Sequence, residues 1–118
     1  MRRQNAKKII IIDMKVAITS TGNTLASMLD QRFGRCAYFV IYDKESKSVE
    51  YIPNPNKQVS EGAGPASVQL LAERGVHKII SGDFGMKVKP ILDSLQIQMI
   101  VIKDTPKTVS EIMDTLDH

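Results

Sequence analysis

From Pro65 onward the chain switches repeatedly between helical and extended periodicity. Pro65 suits a first helical turn, Ala66, Val68, Leu70, Leu71 and Ala72 supply an apolar face, and Gly75 supplies the stop, so a helix is predicted over 65–74. A strand follows over 76–81, then the turn Gly82-Asp83-Phe84-Gly85, then a short helix from Lys89-Pro90 that buries Ile91, Leu92 and Leu95. Residues 98–102 read as the next strand. The last helix is predicted with Thr105 at its cap, Pro106 at its first position, and Val109, Ile112, Met113 and Leu116 on its buried face. Strands joined through helices in this way run parallel with right-handed crossovers.

The first half is different. Residues 14–18 read as a buried strand, Thr19-Ser20-Thr21-Gly22-Asn23 as a turn cluster, and 24–30 as a short helix. Two β-rich runs, 38–42 and 48–52, are separated by Asp43-Lys44-Glu45-Ser46-Lys47, which predicts a hairpin. Pro53-Asn54-Pro55-Asn56 then breaks the strand, because proline lacks the ladder donor, and a loop runs on to Gly64. The order β-β-β-α-β-α-β-α predicts an α/β fold, a mixed five-stranded sheet flanked by helices. With the first strand placed centrally, between the hairpin and the strand at 76–81, the turns at 19–23 and 82–85 leave adjacent carboxyl ends, where ligands bind in open α/β sheets.

A length of 118 residues suits one core, expected over 14–118. The net charge of +3 lies in the leader, where Arg2, Arg3, Lys7 and Lys8 face only Asp13; the remainder balances 12 basic against 12 acidic residues. That distribution argues against a nucleic-acid-binding face, which needs clustered cations on the folded domain. Residues 1–13 are expected to be a flexible extension first and an extra strand through 9–12 second. The apolar run at 9–12 is too short to span a membrane and is followed by no small-residue cleavage site, so a cytoplasmic protein is expected. One cysteine, Cys36, excludes an internal disulfide and a self-contained four-ligand cysteine site.

The most distinctive string is Gln31-Arg32-Phe33-Gly34-Arg35-Cys36-Ala37-Tyr38-Phe39, two guanidinium groups and a thiol around one glycine ahead of a strand. Guanidinium forks match carboxylate geometry, and a thiolate is a soft ligand for iron or molybdenum. Arg32 and Arg35 are therefore candidate anion donors and Cys36 a candidate metal ligand, whose pKa nearby arginines would lower. Gly62 and Gly64, at the start of the first long helix, are candidates for a backbone N–H cradle, and Gly82 and Asp83 for the facing turn. The alternatives are ordinary ones. A lone cysteine is commonly a buried apolar residue, the arginines suit structural ion pairs, and the glycines suit tight turns. His77 fits packing or surface exposure better than ligation.

The Arg32-Phe33-Gly34-Arg35 string, with its aromatic residues just beyond, resembles the small-domain family of nitrogenase iron–molybdenum cofactor biosynthesis proteins. The resemblance continues in order through Met14-Lys15-Val16-Ala17-Ile18, Gly62-Ala63-Gly64, Ala72-Glu73-Arg74-Gly75-Val76 and Ile80-Ser81-Gly82-Asp83-Phe84-Gly85. It implies a ribonuclease H-like topology and an accessory or carrier protein for iron–molybdenum cofactor, its precursors or an iron–sulfur cluster. Its partners would be cluster donor or acceptor proteins, and the chain would be a monomer or a weak homodimer. The loop Gln58-Val59-Ser60-Glu61-Gly62-Ala63-Gly64 lacks the histidine that some cofactor-binding members carry there. Nucleases of similar topology need several carboxylates, one of them on the first strand, and Lys15-Val16-Ala17-Ile18 has no acid. No nucleophile elbow, HExxH or P-loop is present, so no catalytic residue is predicted. The competing function is a metal-free module that binds a small anion or a protein partner.

Because the core-forming segments begin at Met14 or later, deletion of residues 1–13 should leave cooperative thermal unfolding intact. Loss of that transition would identify 9–12 as a strand.

Overall fold

The computed structural model describes residues 15–117. Its elements are β1 (Lys15–Ser20), β2 (Tyr38–Asp43), β3 (Val49–Pro53), α1 (Ala63–Glu73), β4 (Lys78–Ser81), α2 (Lys89–Ser94), β5 (Gln98–Val101) and α3 (Val109–Leu116). They build the expected five-stranded mixed sheet, in the order β3-β2-β1-β4-β5. β1 is antiparallel to β2, from Lys15 opposite Asp43 to Ser20 opposite Tyr38, and parallel to β4, with Ile18 opposite Ile80. β4 and β5 are parallel, while β2 and β3 form the hairpin.

Successive side chains of a strand point to opposite faces, and β1 buries both. Ala17 packs in a core with Phe33, Phe39, Ile79, and Val68 and Leu71 of α1 and Leu92 of α2. Val16 and Ile18 face the other layer, with Val40, Ile80, and Val109 and Ile112 of α3. Helices thus cover both faces. The end of α3 is tied back to the hairpin, where the Tyr42 hydroxyl donates to Asp117 at 2.7 Å and Lys47 pairs with the same carboxylate at 3.1 Å. Among the described residues no helix is long and apolar enough to cross a membrane.

Four boundaries differ from expectation. Residues 24–30 form turns and isolated bridges, Ser20 with Leu29 and Met28 with Thr108, instead of a helix. Hydroxyl groups there take the backbone donors a helix would use: Ser20 Oγ accepts from Gly22 N–H and Ser27 Oγ from Thr24 N–H, both at 3.2 Å. The cap of α3 is Thr108, not Thr105. Thr108 Oγ1 accepts from Glu111 N–H at 3.1 Å and Glu111 Oε1 accepts from Thr108 N–H at 2.8 Å. This reciprocal box satisfies two donors; three residues after Thr105 stands Thr108, not a Glu or Gln that could complete one. α1 starts at Ala63, with Gly62 as a left-handed cap at φ 77°, and β4 starts at Lys78, because Val76 and His77 form its lead-in. The leader expected over 1–13 lies outside the described residues.

Thr108→Ala should lower unfolding free energy by about 1 kcal/mol in urea denaturation. The Thr108 backbone N–H and then its hydroxyl hold the Glu111 carboxyl below its ordinary 4.5. That contribution is present above the ordinary value and is lost as pH falls through the lower folded-state value. Glu111→Gln should therefore flatten the acid limb of the stability curve below pH 4.5.

Candidate functional site

β1, β4 and β5 end at one edge of the sheet, the same edge where β2 begins and β3 finishes. Loops 21–37, 54–62, 82–88 and 102–108 therefore converge there. Two clefts open among them. The smaller, about 460 Å³, is bounded by Gln31, Arg32, Phe33 and Gly34, by Asp83, Phe84 and Gly85, and by Lys103 and Asp104. The larger, about 780 Å³, runs between Arg35, the segment 60–65 and the turn 84–88; both share Gly34, Phe84 and Gly85. Arg32, Gly34, Arg35, Gly62, Gly64 and Asp83 thus come together around one surface. Gly82 supports it from beneath, and Cys36 lines neither cleft.

Backbone contact sets the shape. A Cβ on Gly34 would lie 2.8 Å from Gly64 N and 3.0 Å from Gly64 Cα, so the arginine loop rests directly on the start of α1. A Cβ on Gly82 would come within 2.6 Å of Gln31 Cα, which brings the end of β4 equally close to that loop. Glycine is required where two main chains approach in this way. No side chain caps α1; Pro65 has no N–H and Ala66 N–H donates to Gly62 O at 3.1 Å, so only the N–H groups of Ala63 and Gly64 are left without an intrahelical or capping partner.

Hydrogen bonds fix the loops. Asp30 is buried, its N–H donates to Thr19 O at 2.9 Å, and its carbonyl accepts from Thr19 Oγ1 at 2.8 Å and Gly82 N–H at 3.3 Å. Its carboxylate accepts from Arg32 N–H at 2.9 Å, from Arg32 Nε at 3.3 Å and from Nη2 at 3.4 Å. These bonds, together with the negative charge, raise the Arg32 pKa further. Phe33 N–H donates to Asp83 O at 3.0 Å, and the Phe33 ring packs on Phe84 with centroids 5.3 Å apart. Arg35 donates to the carbonyls of Lys57, Val59 and Ser60, and so clamps the loop that leads into α1. Asn54 Nδ2 donates to Gly34 O at 2.9 Å and Cys36 O at 3.0 Å.

Asp30, Asn54, Lys87, Lys103 and the exposed Met86 are the site residues that sequence reasoning missed. Asn54 stands between two prolines and reads only as part of a strand breaker. Asp30 ends a segment expected to be helical. The one available signal was for Asp30, which stands two residues before Arg32 of the arginine–glycine string.

Cys36 is fully buried, and the expectation that arginines would lower its pKa is not met. Burial first, and then the Asp30 charge, push its thiol up to about 12, while Arg32 opposes this only weakly. Arg35 is turned away to the 57–60 carbonyls. Among the described residues no three His, Cys, Asp or Glu side chains gather as a metal site. The clefts carry guanidinium, ammonium and backbone N–H donors together with the carboxylates of Asp83 and Asp104 in the smaller and Glu61 in the larger, so the donors suit an anion only where they stand apart from those acids. Cys36 should react with an aromatic disulfide reagent only after denaturant opens the fold, as expected for a buried protonated thiol. Rapid stoichiometric labelling of the native protein would show that the thiol reaches solvent.

The comparisons agree with this architecture. A protein from Methanocaldococcus jannaschii, itself uncharacterized, is 33% identical over 89 residues, covering 73% of this chain and 72% of the relative. Among solved structures, the apo form of the orange protein from Desulfovibrio gigas superposes with a TM-score of 0.79 at 29% identity, over 88% of this chain and 87% of the other. A NifB-like protein from Thermotoga superposes at 0.72 with 36% identity, over 87% and 86%. The family model described as dinitrogenase iron-molybdenum cofactor matches residues 14–117. With that match spanning nearly the whole chain, the protein belongs to the dinitrogenase iron-molybdenum cofactor family.

Proposed function

We propose that the chain is a non-catalytic accessory protein that holds an iron–molybdenum or iron–sulfur type cluster, or a precursor, as an anionic cargo and passes it between donor and acceptor proteins in the cytoplasm. The observation that carries this reading is the paired cleft at the carboxyl ends of the parallel strands, two openings of about 460 and 780 Å³ that meet at Gly34, Phe84 and Gly85. Family membership supports a role in cofactor biosynthesis or binding. Arg32, Lys87 and Lys103 and the open N–H groups of α1 supply donors for sulfides or carboxylates. Arg35 shapes the larger cleft through the loop it clamps.

Burial of Cys36 favours attachment through charge and hydrogen bonds over ligation by the chain's own thiolate. Such attachment is reversible, which suits a cargo that has to leave. The same burial also fits the second reading, a metal-free module for small anions, and one titration separates the two.

Anaerobic addition of tetrathiomolybdate with iron, or of isolated cofactor, should produce charge-transfer absorption that stays with the protein on gel filtration. Cys36→Ser should bind within about twofold of the parent, whereas Lys103→Ala should bind about two- to fivefold more weakly, the range for a partly exposed charge contact. Affinity should fall with added salt. Absence of any retained colour, with clear binding of sulfate or phosphate, would favour the metal-free module. Strong loss in Cys36→Ser with an unchanged fold would restore thiolate ligation.

A further inference from the structure

Asp30 is the one charged side chain among the buried polar residues of the described chain. Its carboxylate is only 5% exposed, whereas its partner Arg32 is 63% exposed and lines the smaller cleft. A buried carboxylate is costly unless it is paired and hydrogen-bonded, so its presence here calls for a reason beyond packing. Tying the loop to the sheet is not that reason, because the Asp30 main chain makes those bonds, to Thr19 and to Gly82. The local turn does not need the charge either, since an amide oxygen would accept from Arg32 N–H equally well.

What remains for the charge is the guanidinium. Asp30 grips it along one edge, through Nε and Nη2, and Nη1 has no protein partner among the described residues. We infer that Asp30 is the positioning residue of the smaller cleft: it fixes Arg32 by one edge so that the other edge binds a small polyanion, an inorganic oxyanion or a thiometallate. This rests on the anion-binding reading of the site. Arginine is rich in rotamers, and holding it in advance removes the ordering cost from binding. Across the cleft, Lys103 supplies a second cation, while Asp83 and Asp104 also line it, so the anion has to sit between Arg32 and Lys103 and clear of those two carboxylates.

The test uses the full chain labelled with ¹⁵N, with the Arg32 Nε–H signal assigned by its loss in Arg32→Lys. Sulfate and tetrathiomolybdate are titrated separately, and thermal melting is recorded for every variant. In the parent the Arg32 signal should be sharp and shift on anion addition. In Asp30→Asn it should collapse towards the averaged position of mobile arginines, with anion affinity weakened about three- to tenfold. In an Arg32→Ala background, Asp30→Asn should weaken binding no further; a purely structural role would weaken it equally in both backgrounds and would overturn the inference. Unchanged affinity in Asp30→Asn would also overturn it. Should Asp30→Asn fail to fold, Arg32→Gln must lose affinity to the same extent with its melting unchanged, or the inference falls. Binding of sulfate at Arg32 without tetrathiomolybdate would uphold the positioning role and sink the cluster reading. Retention of tetrathiomolybdate with no movement of the Arg32 signal would do the reverse.

Discussion

β1 is hydrogen-bonded on both edges and buried on both faces, and the other elements take their places from it. On one side it meets antiparallel β2, reached through the long loop 21–37; on the other it meets parallel β4, which the chain enters from β3 by way of helix α1. The change of direction across this strand opens a gap between loops above its carboxyl end. The same strand supplies Thr19, whose main chain and hydroxyl receive the Asp30 segment. Core and site are therefore anchored on neighbouring residues of one six-residue strand.

Much of this was legible in the sequence, for physical reasons. Alternation of helical and extended periods dictates parallel strands and crossovers, and a charged five-residue connection between two β-rich runs dictates a hairpin. The sequence also marked Arg32, Gly34, Gly64 and Gly82 as candidates, with tight turns as the alternative for the glycines, and close main-chain approach is what requires glycine at 34 and 82. The details that escaped were competitions between nearly equal local options. Thr105-Pro106 and Thr108-Glu111 both resemble helix starts, and the reciprocal bonds of the second decide the outcome. Hydroxyl groups turned 24–30 away from a helix for the same kind of reason. The place of Asp30 in the fold depends on main-chain bonds to residues far along the chain, Gly82 among them, which no local pattern encodes.

Cys36 illustrates how placement overrides reactivity. Read along the chain, it lies beside two arginines and resembles an activated thiol. In the fold, Arg32 is committed to Asp30, Arg35 reaches the 57–60 carbonyls, and Asn54 holds the Cys36 carbonyl inward. Burial among apolar neighbours and the Asp30 charge oppose ionisation of the thiol and outweigh the nearby backbone N–H groups that favour it.

The Arg35 clamp has a consequence for how this family can diversify. One wall of the larger cleft is a loop without regular structure, kept in place by one guanidinium on three carbonyls and by the Asn54 amide. Neither group belongs to a helix or to a strand of the sheet, whereas the facing wall includes Phe84 and Val88 of the core, so one side of the cleft is set by a loop and the other by packing. Substitution of Arg35 would release the loop wall alone, whereas substitution of the buried Asn54 would also strip the Gly34 and Cys36 carbonyls of their donor. A scaffold organised in this way can be refitted for ligands of different girth by small genetic steps, each tolerated by the fold before it is useful to the site.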